Sequence, residues 1–141
     1  MEQDAAALYD AATAFIRAYQ FRDRDQALRQ GLTVVQAYAL DFLRRSDGQR
    51  LTELAEALQL DKSTTSRVVA GMKRRGLVDW SHPADDRRAI RIVATSEGKQ
   101  RYERLRRAIV RENVRLLSPY SATARRAALM ILEQLVERAN T

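Results

Sequence analysis

Two short amphipathic segments lie almost end to end in the middle of this chain, and their closeness constrains the fold more than any other feature. In LTELAEALQL, Thr52 has the type and place of an N-cap, with Leu51 before it, and Leu54, Ala55 and Leu58 fall on one helical face. Gln59 and Leu60 leave room for only a brief break. Asp61 then stands as an N-cap for a further helix running to about Arg75, which Gly76 ends as a C′ glycine does. Two short helices joined by so short a connection form the helix-turn-helix pattern.

A hairpin extends that pattern. LVDWS (77–81) and AIRIVAT (89–95) alternate apolar and polar residues, as half-buried strands do. Between them HPADDRR is polar, contains Pro83 and has the length of an extended hairpin loop. Two strands with a basic tip, directly after the second helix, read as a wing.

The flanks are helical. From Asp4 to Tyr19, Leu8, Ala12, Phe15, Ile16 and Tyr19 mark one face of a helix, followed by the polar stretch FRDRDQALRQG. Thr33 has the character of an N-cap for a helix from Val34 to Leu43, and Ser46 to Gln49 reads as a turn. Ser96 begins a long helix to about Leu117, with Tyr102, Leu105, Ile109, Leu116 and Leu117 on its stripe. Ser118-Pro119 stops it, and Ser121 caps a last helix carrying Ala128, Leu129, Leu132, Leu135 and Val136. The fold class expected is mainly α with a small β-hairpin wing: a winged helix-turn-helix flanked by N- and C-terminal dimerisation helices. Residues 1–32 would form the N-terminal dimerisation helix and linker, 33–95 the DNA-binding module, and 96–141 the C-terminal dimerisation helices. Pairing is expected because a lone winged helix cannot cover the apolar stripes at both ends, and because two-fold symmetry suits half-sites a helical turn apart.

Charge says what such a module meets. The net charge is +7, and between Lys62 and Arg91 eight basic residues stand against three acidic ones. So basic a centre calls for a polyanion. On a helical wheel Thr65, Val68, Val69 and Met72 cluster toward a core, whereas Ser63, Ser66, Arg67, Ala70 and Arg74 cluster opposite, with Lys73 beside them. The second set suits a major groove. Arg67 can give a bidentate bond to a guanine edge, Ser63 and Ser66 can bond bases or phosphates, and Ala70 allows close approach. The first turn, Lys62, Ser63 and Thr64, offers backbone N–H groups to a phosphate. Arg87 and Arg88 at the wing tip suit a narrow minor groove. Asp85 and Asp86 would be repelled by DNA unless paired, so one of them is expected to hold Arg88 or Arg67 in its reading pose.

Other chemistry finds little support. Cysteine is absent and His82 is the single histidine, so no thiolate or histidine cluster can hold a metal and no triad can form. Gly71 and Gly76 have the spacing of a phosphate loop, but Leu77 and Val78 stand where Lys and Ser/Thr are needed. An enzyme is not expected, nor is a cofactor. The opening residues lack the pattern of a secretory signal, and no stretch approaches the length needed to cross a bilayer, so a cytoplasmic protein without a membrane partner is expected.

With those residues in view, LTELAEALQLDKSTTSRVVAGMKRRGLV followed by DRRAIRIVATSEG resembles the MarR (multiple antibiotic resistance regulator) family over nearly the whole chain. Asp86, Arg87 and Arg88 reproduce the family's wing motif, with Asp86 positioning the wing, and Thr95 to Gly98 its Thr-x-x-Gly; Ala94 stands where a leucine is usual. The resemblance implies a homodimer with intertwined terminal helices, which reads a pseudo-palindromic operator in double-stranded DNA with its wings in flanking minor grooves. It implies a repressor released by a small aromatic or phenolic acid, and the lack of cysteine excludes the oxidant-sensing branch. Aromatic candidates for the ligand site are Phe15, Tyr19, Tyr38, Phe42 and Trp80, with Arg17 as a carboxylate partner; of these, Tyr19, Tyr38, Trp80 and Arg17 are the expected ligand-binding residues. The alternative is a ligand-independent winged-helix activator or architectural protein.

Overall fold

A computed structural model describes residues 1–82 and 90–141, so the expectations at Asp85, Asp86, Arg87 and Arg88 lie outside the described residues. The elements are α1 (Glu2–Arg29), α2 (Val34–Leu43), α3 (Leu51–Leu58), α4 (Lys62–Arg74), β1 (Val78–Ser81), β2 (Arg91–Ala94), α5 (Ser96–Leu117) and α6 (Ala122–Ala139). Two compact units divide the chain, Met1–Arg106 and Arg107–Thr141.

In the first unit the helix ends are set by local chemistry. Thr33 and Gln36 form a reciprocal capping box at α2, each side chain accepting the other's backbone N–H. Asp61 caps α4 by accepting the Thr64 N–H at 2.7 Å. Gly76, at φ 71°, lets Leu77 N–H reach back to the Met72 carbonyl, which closes α4 in a Schellman turn. Two boundaries differ from expectation. The first helix does not stop near Tyr19; it runs on through the polar stretch to Arg29, and Gly31 at φ 69° then turns the chain. The polar residues of this segment stay helical because they pair along its surface, Arg22 with Asp23 at 2.8 Å and over the Tyr19 ring. Helix α3 begins at Leu51, not after Thr52: Arg50 is the N-cap residue, and its N–H is taken by the Glu53 carboxylate at 3.0 Å. Gln49, expected in a turn, is extended and exchanges two backbone hydrogen bonds with Ile92.

The core of this unit is drawn from every element around α4. Leu40 and Leu43 of α2, Leu54 of α3, Val69 and Met72 of α4, Leu77, and Ile92 of β2 are wholly buried. Thr65 is the buried polar member, and its hydroxyl is satisfied by donating to the Asp61 carbonyl at 2.9 Å. Strands β1 and β2 pair antiparallel with Val78 opposite Ala94 and Trp80 opposite Ile92. In the second unit Ser121 caps α6 by accepting from Ala124 N–H. Every residue of α6 is exposed, including Leu129, Ile131, Leu132 and Val136.

The base of the hairpin is fixed by Thr95 and Gly98. The Thr95 hydroxyl donates to the Gly76 carbonyl at 2.6 Å and accepts the Gly98 N–H at 3.0 Å, while Thr95 N–H donates to the Leu77 carbonyl. Gly98 is buried so closely that a Cβ there would overlap the Leu77 carbonyl oxygen and press on Leu40. Replacing a helical glycine by alanine ordinarily stabilises by about 1 kcal/mol. Here the sign should reverse: Gly98→Ala is expected to destabilise by about 1–3 kcal/mol, measured by denaturant unfolding, because the backbone has to move apart.

A candidate nucleic-acid interface on the second helix of the turn

Helix α4 sets two faces apart. Thr65, Val69 and Met72 are buried and Val68 is half-buried, whereas Ser63, Ser66, Arg67, Lys73 and Arg74 are exposed and Ala70 is half-buried among them. The structure thus brings Lys62, Ser63, Ser66, Arg67, Ala70 and Arg74 onto a common outward surface. Arg67 lies along the helix with a guanidinium nitrogen 3.5 Å from the Thr64 hydroxyl, a contact too long to hold it. Among the described residues no shorter hydrogen bond engages the Arg67 guanidinium.

Not every basic residue here is equally open. Lys73 makes an ion pair with Asp79 at 2.8 Å and sits 5.8 Å from the centre of the Trp80 ring. The Lys73 hydrogen bond, with one from Trp80 N–H, holds the Asp79 carboxyl below the usual carboxylate range. At the start of α4 the expected free amides are partly used. Thr64 N–H is bound by Asp61, Thr65 N–H by the Asp61 carbonyl, and the Thr64 hydroxyl donates to the second Asp61 oxygen at 2.8 Å. Those bonds from Thr64 keep Asp61 ionised below the usual range, so a negative charge already occupies this helix end. Thr64 is thereby turned toward its own cap, and Lys62 and Ser63 remain the first-turn residues facing outward.

The turn itself depends on Gln59, which adopts φ 54° and ψ 42°. This left-handed conformation is uncommon for a residue with a side chain, and it lets Leu60 N–H return to the Ala55 carbonyl. The result is a non-glycine Schellman turn that aims α4 away from α3.

One basic residue of the KRR run has a role that its neighbourhood in sequence does not signal. Arg75 donates to the Gln36 side-chain oxygen at 2.9 Å and to the Gly31 carbonyl. Both partners lie far off in sequence, so no local pattern distinguishes Arg75 from Arg74.

Two clefts flank Tyr38. One, of about 400 Å³, is lined by Tyr38, Asp41, Phe42, Arg45, Ala57, Leu58 and Gln59. The other, of about 340 Å³, lies between Gln20, Phe21 and Arg24 of α1 and Val34 and Tyr38 of α2. Of the expected ligand residues, Tyr38 borders both clefts and Phe42 one. Tyr19 instead stacks on Phe15 at 4.0 Å, Arg17 is exposed on α1, and Trp80 lies on β1 beside Lys73. The structure does not gather the four into one site. Phe21 and Arg24, which do line a cleft, belong to the polar stretch after Tyr19, where the sequence offers no sign of a pocket.

Next to the first cleft Asp41 accepts from Tyr102 at 2.7 Å and from Arg44 and Arg45 at 3.1 and 3.0 Å. Burial works to raise its carboxyl, but the three donors outweigh burial and hold it below the usual range. Burial and the bond to Asp41 together push the Tyr102 phenol up.

Comparison with known proteins agrees with this geometry. The MarR family model matches residues 30–89. The chain is 27% identical over 116 residues to the HTH-type transcriptional repressor MdtR of Bacillus subtilis, covering 80% of this chain and 73% of that one. A MarR family protein from Bacillus stearothermophilus superposes with a TM-score of 0.93 at 22% identity, over 100% of this chain and 99% of that one, which shows the fold. The PcaV transcriptional regulator of Streptomyces coelicolor, solved in complex with its natural ligand, gives a TM-score of 0.64 at 26% identity over 89% of this chain and 91% of its own. Among the described residues no helix is long and apolar enough to cross a membrane.

A group whose carboxyl is depressed by folding stabilises the fold above the ordinary carboxylate range and loses that contribution as pH falls through its folded value. Asp41→Asn is therefore expected to lower the melting temperature at pH 7, with the deficit shrinking between about pH 5 and pH 2. A deficit that stays constant across that range would mean the Asp41 charge contributes nothing.

Proposed function

We propose that this chain is a DNA-binding transcription regulator of the MarR type and not an enzyme, which represses transcription as a homodimer on a pseudo-palindromic operator; the family model's match to residues 30–89 and the similarity to a transcriptional repressor support this reading. The single observation that carries the reading is the outward face of α4. Ser63, Ser66, Arg67, Ala70 and Arg74 present short donors, one small residue and long cations on one side of a helix whose other side is pinned in the core. That is the composition a major groove accepts.

In this reading Arg67 reads a base edge and Ser63 and Ser66 bond neighbouring bases or phosphates. Lys62 and Arg74 meet phosphates, and Lys73 joins them only by giving up Asp79. Arg87 and Arg88, with Asp86 to position them, would extend the contact into a minor groove. Residues 33–95 would act as the reading module, with 1–32 and 96–141 serving mainly to pair two copies. The exposed Leu8, Phe15 and Ile16 of α1, and Leu129, Leu132 and Val136 of α6, support pairing, because apolar faces of this extent rarely stay in water. Repression rests on the similarity to a transcriptional repressor.

The effector would be a small aromatic acid seated against Tyr38 in the cleft with Phe21 and Arg24. The cleft's volume is in the range such ligands occupy, and Arg24 offers a partner for a carboxylate. The ligand-bound state of PcaV supports a ligand for this chain too. A thermal-shift screen of aromatic acids is expected to find one that both stabilises the protein and weakens its hold on DNA, since a regulator's two ligands must be coupled. Hits that stabilise without changing DNA affinity would argue against the sensor.

Arg67→Ala is expected to weaken binding to the protein's preferred DNA by roughly 1–3 kcal/mol and to relax one base position. Equal weakening on all sequences, measured by competition binding, would make Arg67 a phosphate contact instead.

A further inference from the structure

Arg75 stands at the end of the recognition helix, in a run of three basic residues, yet its guanidinium points away from the face that reads DNA. One nitrogen donates to the Gln36 side-chain oxygen at 2.9 Å, and another to the carbonyl of Gly31. Gly31 is the left-handed residue that closes α1, and Gln36 belongs to the capping box that opens α2. The Gln36 oxygen also accepts Thr33 N–H at 3.1 Å, so the arginine joins the cap itself. Carbonyls at the end of a helix carry partial negative charge, which suits a guanidinium. Arg101 of α5 reaches the same place: a Cβ on Gly31 would stand 3.4 Å from a guanidinium nitrogen of each arginine. Arg101 is anchored by Glu97 at 2.8 Å. The corner between α1 and α2 is thus the point to which Arg75 ties the end of α4, with the Arg101 guanidinium of α5 close by.

We propose that Arg75 is a positioning residue, which fixes the orientation of the recognition helix against the corner between α1 and α2 and so sets how strictly the protein discriminates operator geometry. The proposal rests on the operator-reading function above. A planar fork engaged with two oxygens restrains direction as well as distance, which a lysine in its place would not do. Helix α4 is held at its start by its own cap, along its middle by the core and at its exit by the Thr95–Gly76 bond; Arg75 adds a restraint there that points toward the α1–α2 corner. A change in the α1–α2 corner then alters the angle of α4 without disturbing any residue that touches DNA.

The test measures affinity for inverted repeats whose half-site spacing is varied by one base pair at a time, together with salt dependence and melting. A phosphate contact contributes about 0.9 to the slope of log affinity against log salt. Arg75→Ala is expected to keep the wild-type slope, while the ratio between the best and the next-best spacing falls at least threefold. Gln36→Glu keeps the capping box and strengthens the tie, so the ratio should rise, and this rise should vanish when Arg75 is also alanine. A slope reduced by about one unit would make Arg75 a phosphate contact and overturn the proposal. So would a lower melting temperature with an unchanged spacing ratio, which is the mark of a purely structural tie. Should Arg75→Ala fail to fold, Gln36→Glu decides alone: a raised ratio supports the tie and an unchanged one overturns it. A wild-type protein with no spacing preference would defeat the operator reading itself, an outcome separate from a preference that Arg75→Ala leaves untouched.

Discussion

The first compact unit depends on the contact of Gly98 with the Leu77 carbonyl. Because position 98 has no side chain, the first turn of α5 sits directly against the backbone that leaves α4. The Thr95 hydroxyl completes the junction by bonding Gly76 on one side and Gly98 on the other. Three elements are joined in that small volume: the end of α4, the base of the hairpin and the start of a long helix. The Thr-x-x-Gly sequence is thus a packing device as well as a helix start. It turns α4 from a helix lying on a core into a helix with a defined exit.

The electrostatics reflect the same economy of space. Basic residues cluster near α4, yet they divide by what the fold asks of them. Lys73 is matched to Asp79, Arg75 to the α1–α2 corner, and Arg67 and Arg74 face outward. Counting positive charge finds the region but not the division, since each pairing is decided by the direction a side chain leaves the helix. The Asp61 cap sets a carboxylate at the start of α4, where it would oppose a phosphate. A reading face on α4 would therefore be weighted toward the middle of the helix, around Arg67.

Where sequence and structure agree, the governing interaction is local. Thr33, Asp61, Gly76 and Ser121 act on backbone groups within five residues, and each is legible as a cap or a stop. The buried face of α4 is legible because a helical period leaves little freedom over which residues meet the core. The length of α1 is not, because the stretch from Phe21 carries few apolar residues to mark a face and is held by surface pairs. Within α1 only Ala27 is buried. Arg50 does not read as a cap because its own side chain does not act; Glu53 reaches back to its N–H. The role of Arg75 is out of reach of sequence, since its partners lie 39 and 44 residues away and the motif around it is uniformly basic. The clefts beside Tyr38 depend on the same kind of distant placement.

Selection of bound DNA from a random library, using the purified protein and sequencing the recovered fragments, tests the central claim most directly. The account expects an inverted repeat with half-sites about one helical turn apart, as two copies of an α4 reading face require. Recovery without any shared motif, with binding that only tracks salt concentration, would contradict it and leave a basic surface that coats polyanions without reading them.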